Sequence, residues 1–201
     1  ELNSIVYEYD GELVAYWSFD EETGSGAYLI DQSGNNNHGT PIGTTYSSDG
    51  VLGGARVFDD TNSDYIDVLS TTNIPIGNSP YTITAWFKKE NSEDFGGGIV
   101  GWGAYGTDNG VNALRVGGEE LINFWWGNDL YPNVGSINND WHQIVASYDG
   151  TTRKIYIDNW IVGADTPSQP NVLNSNNFRI GSVDFGNFFN GMIDEVRIYN
   201  K

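Results

Sequence analysis

The stretch WHQIVASYDGTTRKIYID, residues 141–158, decides the fold. On both sides of its centre, β-branched and aromatic residues alternate with other residues, and this period of two places alternate side chains on opposite faces of a strand. The centre is Asp149-Gly150-Thr151-Thr152, in which glycine accepts a positive φ and aspartate hydrogen-bonds to the backbone that follows it. The stretch therefore predicts a β-hairpin, since no apolar residues recur at the three-to-four spacing of a helix.

Short runs of the same kind recur along the rest of the chain, separated by clusters of glycine, asparagine, serine and aspartate. The clearest are 13–19, 81–88 and 192–199. About ten or more short strands joined by turns are typical of two packed antiparallel sheets. We predict an all-β fold, a β-sandwich of the jelly-roll type, formed by a single domain over residues 13–201 after an N-terminal lead-in over residues 1–12.

The composition excludes several classes of partner and site. Nine basic residues stand against 27 acidic ones, and the net charge of −18 repels nucleic acid and anionic membranes. The absence of cysteine excludes disulfides, thiolate metal sites and thiol nucleophiles. No run of about 18 apolar residues is present, so we predict no membrane insertion.

Seven motifs follow one another over nearly the whole chain: LVAYWSFDE (13–21), DQSGNNNHGT (31–40), ARVFDDTNSDYIDV (55–68), YTITAWFK (81–88), NDWHQIVASYDGTTRKIYID (139–158), RIGS (179–182) and FNGMIDEVRIYN (189–200). In this order they resemble the bacterial laminin-G-like branch of the concanavalin A-like lectin/glucanase superfamily. The resemblance implies a jelly roll of two stacked antiparallel sheets, one of them concave, often with a calcium ion on the convex side. It also implies a secreted or cell-surface setting. The turn Asp158-Asn159-Trp160 departs from the family, which usually has a tight Asp-Gly-Val turn there.

Two sets of carboxylates bear on catalysis. Retaining glucanases of this superfamily carry two Glu and one Asp at E-x-D-x-E spacing on one strand, where two carboxyl groups act about 5 Å apart. Glu8, Asp10 and Glu12 match that spacing, but they precede the first predicted strand. Asp194 and Glu195 are adjacent, so alternation predicts that they face opposite ways. We therefore predict that the protein is not an enzyme and has no catalytic residues.

Acidic and amide residues near both ends of the domain are suited to calcium. Asp20 ends the first predicted strand, the turn-forming segment 31–39 follows it, and Asp194 lies on the last strand. Calcium takes about six to eight hard oxygen ligands, including backbone carbonyls, and in the family the first and last strands pair. We predict one structural Ca²⁺ bound by Asp20, Asn37 and Asp194. The alternative is that Asp31 and Asn37 only cap their own turns by side-chain hydrogen bonds.

The segment NALRVGGEELINFWWGNDL, residues 112–130, is the richest in sugar-binding chemistry. Alternation divides its second strand into two sets, and we assign the more apolar set to the core: Ile122, Phe124 and Trp126. The opposite set then faces water, and it supplies the aromatic and planar polar groups that sugars require. We predict these carbohydrate-binding residues: Trp102, Asn112, Arg115, Asn123 and Trp125. The alternative is ordinary sandwich packing, with Trp125 at a rim.

These features predict a non-catalytic carbohydrate-binding module that anchors a secreted or cell-surface protein to a glycan. Arg115 is the only basic residue in the predicted site, which favours a neutral poly- or oligosaccharide over an acidic one. We expect a monomeric module within a larger chain, with no nucleic-acid partner. The alternative is an adhesin-type interaction or spacer domain that binds no sugar.

Overall fold

We describe a computed structural model of residues 12–22, 28–90, 97–117, 121–168, 172, 174–183 and 186–201, with residue 124 described by its backbone alone. These residues form sixteen strands, numbered in chain order: β1 (Leu13–Trp17), β2 (Gly39–Ile42), β3 (Thr45–Ser47), β4 (Ala55–Phe58), β5 (Tyr65–Val68), β6 (Tyr81–Lys89), β7 (Gly97–Gly103), β8 (Val111–Val116), β9 (Leu121–Phe124), β10 (His142–Tyr148), β11 (Arg153–Ile157), β12 (Trp160–Asp165), β13 (Arg179–Ile180), β14 (Ser182–Val183), β15 (Asn187–Phe188) and β16 (Gly191–Tyr199). The only helical element in these ranges is one 3₁₀ turn, Asp60–Asn62. The described residues therefore contain no helix that is long and apolar enough to cross a membrane.

The strands form two large antiparallel sheets. The eight-stranded sheet has the order β12-β11-β10-β6-β16-β4-β3, and β1 also pairs with β16. The six-stranded sheet has the order β2-β5-β13-β7-β8-β9, and β14 and β15 form a separate hairpin. Buried residues from both sheets join in one hydrophobic core between them. The predicted all-β sandwich is therefore confirmed.

The stretch over residues 141–158 forms the predicted hairpin. β10 and β11 pair antiparallel, and β10 continues into the middle of the eight-stranded sheet through β6. In the turn, the carboxylate of Asp149 accepts hydrogen bonds from the amides of Thr151 (2.9 Å) and Thr152 (2.7 Å). Gly150 takes a φ of +94°, which a residue with a side chain rarely adopts.

Aromatic side chains join the two sheets in the core. Trp102 of β7 stacks on Phe178, with ring centroids 5.3 Å apart and the rings parallel within 2°. Trp17 of β1 contacts the same Phe178 ring at a centroid distance of 5.7 Å. All three side chains are buried, and burying a large apolar side chain contributes roughly 1.5–3 kcal/mol. The cluster therefore fixes β1 of one sheet against β7 of the other.

The β14–β15 hairpin lies on the outer side of the six-stranded sheet, over β7. Glycines in β7 permit this close approach. A Cβ at Gly98 would collide with the backbone nitrogen of Val183, and one at Gly101 would lie 3.0 Å from the Val183 side chain. The hairpin therefore covers the middle of this outer face.

The last strand, β16, joins three other strands. One of its edges pairs with β6, and the other pairs with β4 through residues 191–193 and with β1 through residues 196–199. A β-bulge between Asp194 and Arg197 separates the two halves. The end of β1 and the start of β4 therefore meet beside this bulge.

Candidate functional site

The predicted sugar-binding residues do not line an open groove. Trp102, Asn112, Asn123 and Trp125 are all buried. Asn123 of β9 lies opposite Leu114 of β8, a core residue, so the set that we assigned to water faces the core. The predicted facing is wrong because alternation gives only the relation between the two sets, and both sets contain large apolar residues.

Arg115 and Trp126 lie outside the core. Arg115 of β8 is half-buried on the outer side and donates to Oδ1 of Asn187 in the β14–β15 hairpin (3.0 Å). Trp126, which we placed in the core, is half-buried just after β9, with a left-handed φ of +64° and an edge-on contact with Tyr105. Of the five predicted sugar-binding residues, Arg115 alone therefore reaches the outer side of the six-stranded sheet.

Hydrogen bonds explain how polar side chains fit into this part of the core. Trp125 Nε1 donates to Tyr81 OH (3.1 Å), Tyr81 OH donates to Asn123 Oδ1 (3.2 Å), and Asn123 Nδ2 donates to the carbonyl of Ala113 (3.3 Å). The Arg153 guanidinium lies 4.1 Å from the centre of the Trp125 ring. Burial raises the pKa of Tyr81, so its hydroxyl keeps the proton that it donates. The sequence gives no sign of this network because its members come from distant strands.

A polar groove lies on the outer side of the six-stranded sheet, with a cavity volume of about 370 Å³. Pairing across β2, β5 and β13 places Thr40, Asp67 and Arg179 in one row. The groove is lined by residues of β5, β13 and the segments that adjoin them: Asp67, Val68, Leu69, Thr71, Ser175, Asn176, Asn177, Phe178 and Arg179. Sequence reasoning missed this groove, and the cluster of asparagines just before β13 is the signal that could have indicated it.

The side chains of the groove are held in place by their neighbours. The Arg179 guanidinium lies 4.2 Å from the centre of the Tyr65 ring, a cation–π contact, and Tyr65 packs against Phe188 of β15 at 6.3 Å. Asn177 has a left-handed φ of +54°, and its Nδ2 donates to the carbonyl of Gly103 (3.0 Å). Arg179 and Asn177 are therefore held in position by contacts within the protein.

The groove contains every kind of hydrogen-bonding group that a polyhydroxyl ligand uses. The carboxylate of Asp67 accepts, the guanidinium of Arg179 donates, and the carboxamides of Asn176 and Asn177 do both. One carboxylate and one guanidinium among the lining residues offset each other in charge. This arrangement suits a neutral polyhydroxyl ligand.

A second site lies at the β16 bulge, where two of the predicted calcium ligands meet the same loop. Oδ2 of Asp194 accepts hydrogen bonds from the amides of Val51 (2.8 Å) and Leu52 (3.2 Å). Oδ1 of Asp20 accepts one from the amide of Gly54 (2.8 Å). The loop before β4 is therefore held between the carboxylate that follows β1 and the carboxylate in the bulge.

The bulge is electrostatically unfavourable and conformationally strained. Asp194 is buried, and its Oδ1 has no hydrogen-bond partner in the part of the chain that the structure describes. Burial raises the pKa of Asp194 to about 7, and Glu195 adds to the rise, although the amides of Leu52 and Val51 oppose it. Phe19 and Glu195 have left-handed φ values of +58° and +53°. Strained residues of this kind are concentrated at functional sites.

The bulge also corrects the predicted facing of its two carboxylates. Both lie on the outer side of the sheet, because the left-handed Glu195 interrupts the alternation of β16. Asp194 lies opposite Trp86, and Glu195 accepts a hydrogen bond from Tyr16 OH (2.9 Å). Glu195 also forms an ion pair with Arg197, whose guanidinium lies 4.1 Å from the centre of the Tyr16 ring. Each carboxylate is thus engaged in a structural contact.

Asn37, the third predicted calcium ligand, hydrogen-bonds to nearby backbone instead. Its Nδ2 donates to the carbonyls of Val14 (2.8 Å) and Thr72 (3.0 Å), and its Oδ1 accepts from the Thr72 amide (2.6 Å). Asp31 likewise accepts from the amides of Tyr16 (2.9 Å) and Asn37 (2.9 Å). Asp31 thus caps its own turn through the amide of Asn37, so the turn-capping alternative holds for Asp31. The Asn37 side chain instead joins segments that are distant in the sequence, and we do not retain it as a ligand.

Acidic clusters elsewhere in the described part of the chain add no further group of metal ligands. Among the described residues, no three acidic or histidine side chains lie close enough together to bind a metal. A calcium ion at the bulge would therefore need backbone carbonyls of the loop before β4 as well as Asp20 and Asp194. Of the E-x-D-x-E match, Glu8 and Asp10 lie outside the described residues, and Glu12 is exposed.

Comparison with known families identifies the chain. The sequence model of the concanavalin A-like lectin/glucanases superfamily matches residues 59–201. The chain belongs to this superfamily. The match confirms the resemblance found in the sequence. The matched range, residues 59–201, contains the residues that line the groove and those of the β16 bulge. Comparison with curated proteins gives no match.

Solved structures show the same fold at low sequence identity. Domain 4 of AbnA, a GH43 extracellular arabinanase from Geobacillus stearothermophilus in complex with arabinotriose, has a TM-score of 0.67 and 24% identity, covering 94% of this chain and 93% of that chain. The CBM40 of the Ruminococcus gnavus IT-sialidase, bound to α2,3-sialyllactose, has a TM-score of 0.51 and 12% identity, covering 61% and 76%. The binding domain of Paraclostridial Mosquitocidal Protein 1 has a TM-score of 0.69 and 16% identity, covering 94% and 49%.

Proposed function

We propose that this chain is a non-catalytic carbohydrate-binding module of a secreted or cell-surface protein, and that the groove beside β5 and β13 binds the glycan. The groove carries the proposal, because it brings Asp67, Asn176, Asn177 and Arg179 together on one surface. Similar structures in complex with arabinotriose and with sialyllactose support sugar binding as a use of this fold. The module would act as a monomer that anchors a larger chain to the glycan.

The expected ligand is a neutral oligo- or polysaccharide. The lining residues offset one carboxylate with one guanidinium, and the net charge of −18 opposes the approach of an acidic glycan. Arabino-oligosaccharides come first in a test panel because a structurally similar domain binds arabinotriose. Water competes for every hydroxyl in an open groove, so we expect a Kd between micromolar and millimolar, or roughly −8 to −4 kcal/mol.

Asp67→Ala is expected to weaken glycan binding by about tenfold or more, since a hydrogen bond to a charged group contributes roughly 1.5–3 kcal/mol. Titration calorimetry with each oligosaccharide that the wild type binds measures the change. The free energy of unfolding should change by no more than about 0.5 kcal/mol, because Asp67 faces outward. The matched control is Asp140→Ala, at an exposed aspartate before β10, which should bind as the wild type does.

Three results would count against this function. Equal affinity of Asp67→Ala and the wild type for every glycan would place binding outside the groove. If no glycan on an array retains the wild type, the spacer interpretation replaces the proposed one. If the wild type shortens polysaccharide chains, the module is an enzyme.

We also propose a structural Ca²⁺ at the β16 bulge, bound by Asp20, Asp194 and carbonyl oxygens of the loop over residues 49–54. Oδ1 of Asp194 supports it, since this oxygen is buried and has no hydrogen-bond partner among the described residues. A buried carboxylate oxygen is costly unless a donor or cation reaches it. The ion would neutralise the carboxylates and tie the end of β1 and the loop before β4 to the last strand.

Removal of calcium by a chelator is expected to lower the melting temperature, and added Ca²⁺ is expected to restore it. A ligand that binds only the native state stabilises it by about 2.7 kcal/mol at one hundred times Kd. Asp194→Asn removes the charge at nearly constant volume, so its melting temperature should no longer respond to Ca²⁺, whereas Asp140→Asn should keep the response. A wild-type melting temperature that is indifferent to both chelator and calcium would rule out the site.

A further inference from the structure

Trp160 differs from the other six tryptophans of the chain. Trp160 is 77% exposed, and its neighbour Ile161 is 57% exposed. The other six divide equally into a buried group and a half-buried group: Trp17, Trp102 and Trp125, and Trp86, Trp126 and Trp141. An indole that lies mostly in water adds little to the hydrophobic stabilisation of the fold.

The turn that carries Trp160 is held firmly. Asp158 and Asn159 have left-handed φ values of +48° and +68°, as a two-residue hairpin turn requires. The Asp158 carboxylate accepts a hydrogen bond from the amide of Gln143 (2.9 Å) and lies 2.7 Å from Nδ1 of His142. A ring on such a turn is pre-positioned, which lowers the entropy lost when a ligand binds.

A second exposed aromatic ring lies at the same edge of the eight-stranded sheet. Pro132 packs against Gly163 of β12, where an added Cβ would lie 3.0 Å from the proline Cβ. Its neighbour Tyr131 is 55% exposed, and the Tyr131 hydroxyl donates to Oδ2 of Asp129 (2.8 Å). We call Trp160 and Tyr131 the aromatic edge. Two such rings offer faces on which the C–H groups of a sugar can stack.

The aromatic edge is well separated from the groove. β12 is an edge strand of the eight-stranded sheet, and β11 is its neighbour. This edge lies near β9 of the other sheet, because Nη1 of Arg153 in β11 donates to the carbonyl of Asn123 in β9 (3.2 Å). The groove lies at β5 and β13, and β13 is three strands away from β9 in the six-stranded sheet. Three strand spacings are about 14 Å, and the thickness of the sandwich adds roughly 10 Å. A short oligosaccharide in the groove therefore does not reach the aromatic edge.

We propose that the aromatic edge is a second glycan contact, on which a sugar unit of a neutral polysaccharide stacks against Trp160. This rests on the proposed function of the groove, and it makes the module bivalent towards a long chain or towards neighbouring chains. The second contact strengthens retention because it forms within an already bound complex. The net charge of −18 opposes an anionic membrane as the partner. Two rings also fall short of the roughly 800 Å² per partner of a stable protein interface.

Two measurements on the same variants test the proposal: affinity for a short neutral oligosaccharide in solution, and retention by the corresponding insoluble polysaccharide. Trp160→Ala should bind the oligosaccharide as the wild type does, with an unchanged melting temperature. Its affinity for the polysaccharide should fall about fivefold. This corresponds to a loss of roughly 1 kcal/mol of binding free energy, since a tenfold change is about 1.4 kcal/mol. Trp160→Phe keeps a ring and should stay near the wild type. Trp160→Leu keeps apolar area without a ring and should behave as Trp160→Ala does.

The outcomes separate the two sites. If the polysaccharide retains Trp160→Ala as strongly as the wild type, there is no second contact. That result leaves the groove proposal standing, because the groove is tested by the loss of oligosaccharide binding in Asp67→Ala. If the polysaccharide retains Trp160→Leu as strongly as the wild type, the proposal is also overturned. Burial of apolar area, and not stacking on a ring, would then account for the retention. If no polysaccharide retains the wild type, the second contact and the proposed function fall together.

Discussion

Trp125→Ala is expected to destabilise the domain by about 3–5 kcal/mol, the usual cost of truncating a large buried aromatic side chain. Trp125 is 0% exposed, and its ring meets that of Tyr148 edge-on with centroids 5.1 Å apart. Its Nε1 donates to Tyr81 OH, and the buried Arg153 guanidinium lies against its ring. Truncation therefore opens a cavity, deprives the Tyr81 hydroxyl of a donor and removes the ring that contacts a buried cation.

Denaturant unfolding followed by far-UV circular dichroism measures this loss. Trp126→Ala is the matched control, since the adjacent tryptophan is half-buried and contacts Tyr105 at the ring edge. We expect it to cost no more than about 1 kcal/mol. A small effect at Trp125 combined with a large effect at Trp126 would mean that β9 faces the other way.

Asp165→Ala is expected to cost about 3–5 kcal/mol as well, because it leaves the buried guanidinium of Arg153 without its counter-ion. Nε and Nη2 of Arg153 donate to the two carboxylate oxygens of Asp165 at 3.0 and 2.7 Å. The guanidinium also contacts the Asn123 carbonyl and the Trp125 ring, and neither of these groups carries a negative charge.

Arg153→Met should cost less than Asp165→Ala. The Asp165 side chain is 33% exposed and that of Arg153 is 0% exposed, so water can solvate the carboxylate that is left but not the guanidinium. Methionine also fills much of the vacated volume. Denaturant unfolding of the two variants gives the order of their stabilities. A greater loss in Arg153→Met would contradict this explanation of the ion pair.

The hairpin over residues 141–158 could be predicted because its determinants are local. Alternation places Ile144, Ala146 and Tyr148 on one face of β10, and Asp149 and Gly150 provide the turn chemistry. The same local pattern, repeated over many short strands, predicts two packed sheets. Local sequence patterns were therefore sufficient to predict both the hairpin and the sandwich fold.

The facing of β9 could not be predicted, because it depends on a partner strand. Both sets of its side chains are apolar enough to be buried, and only the pairing of Asn123 with Leu114 decides between them. The bulge in β16 is a different case. The inserted left-handed position is Glu195, and a glutamate gives no sequence signal for a positive φ as glycine does.

The groove was missed because its walls are distant in the sequence. Residues 67–71 and 175–179 come together through the pairing of β5 with β13 and through a hydrogen bond between the Thr71 and Ser175 hydroxyls. β13 has two residues, too few to show any period. The asparagine cluster before β13 could indicate polar chemistry there, but the sheet order is needed to know which residues lie opposite it.

Whether the groove binds glycan is tested most directly by titrating the ¹⁵N-labelled domain with a neutral oligosaccharide of the panel. We predict saturable shifts of the amide signals of Asp67, Asn176, Asn177 and Arg179, with the signals of residues 49–54 unchanged. Shifts confined to other parts of the surface, or a spectrum that no oligosaccharide of the panel alters, would contradict the assignment of the groove as the glycan-binding site.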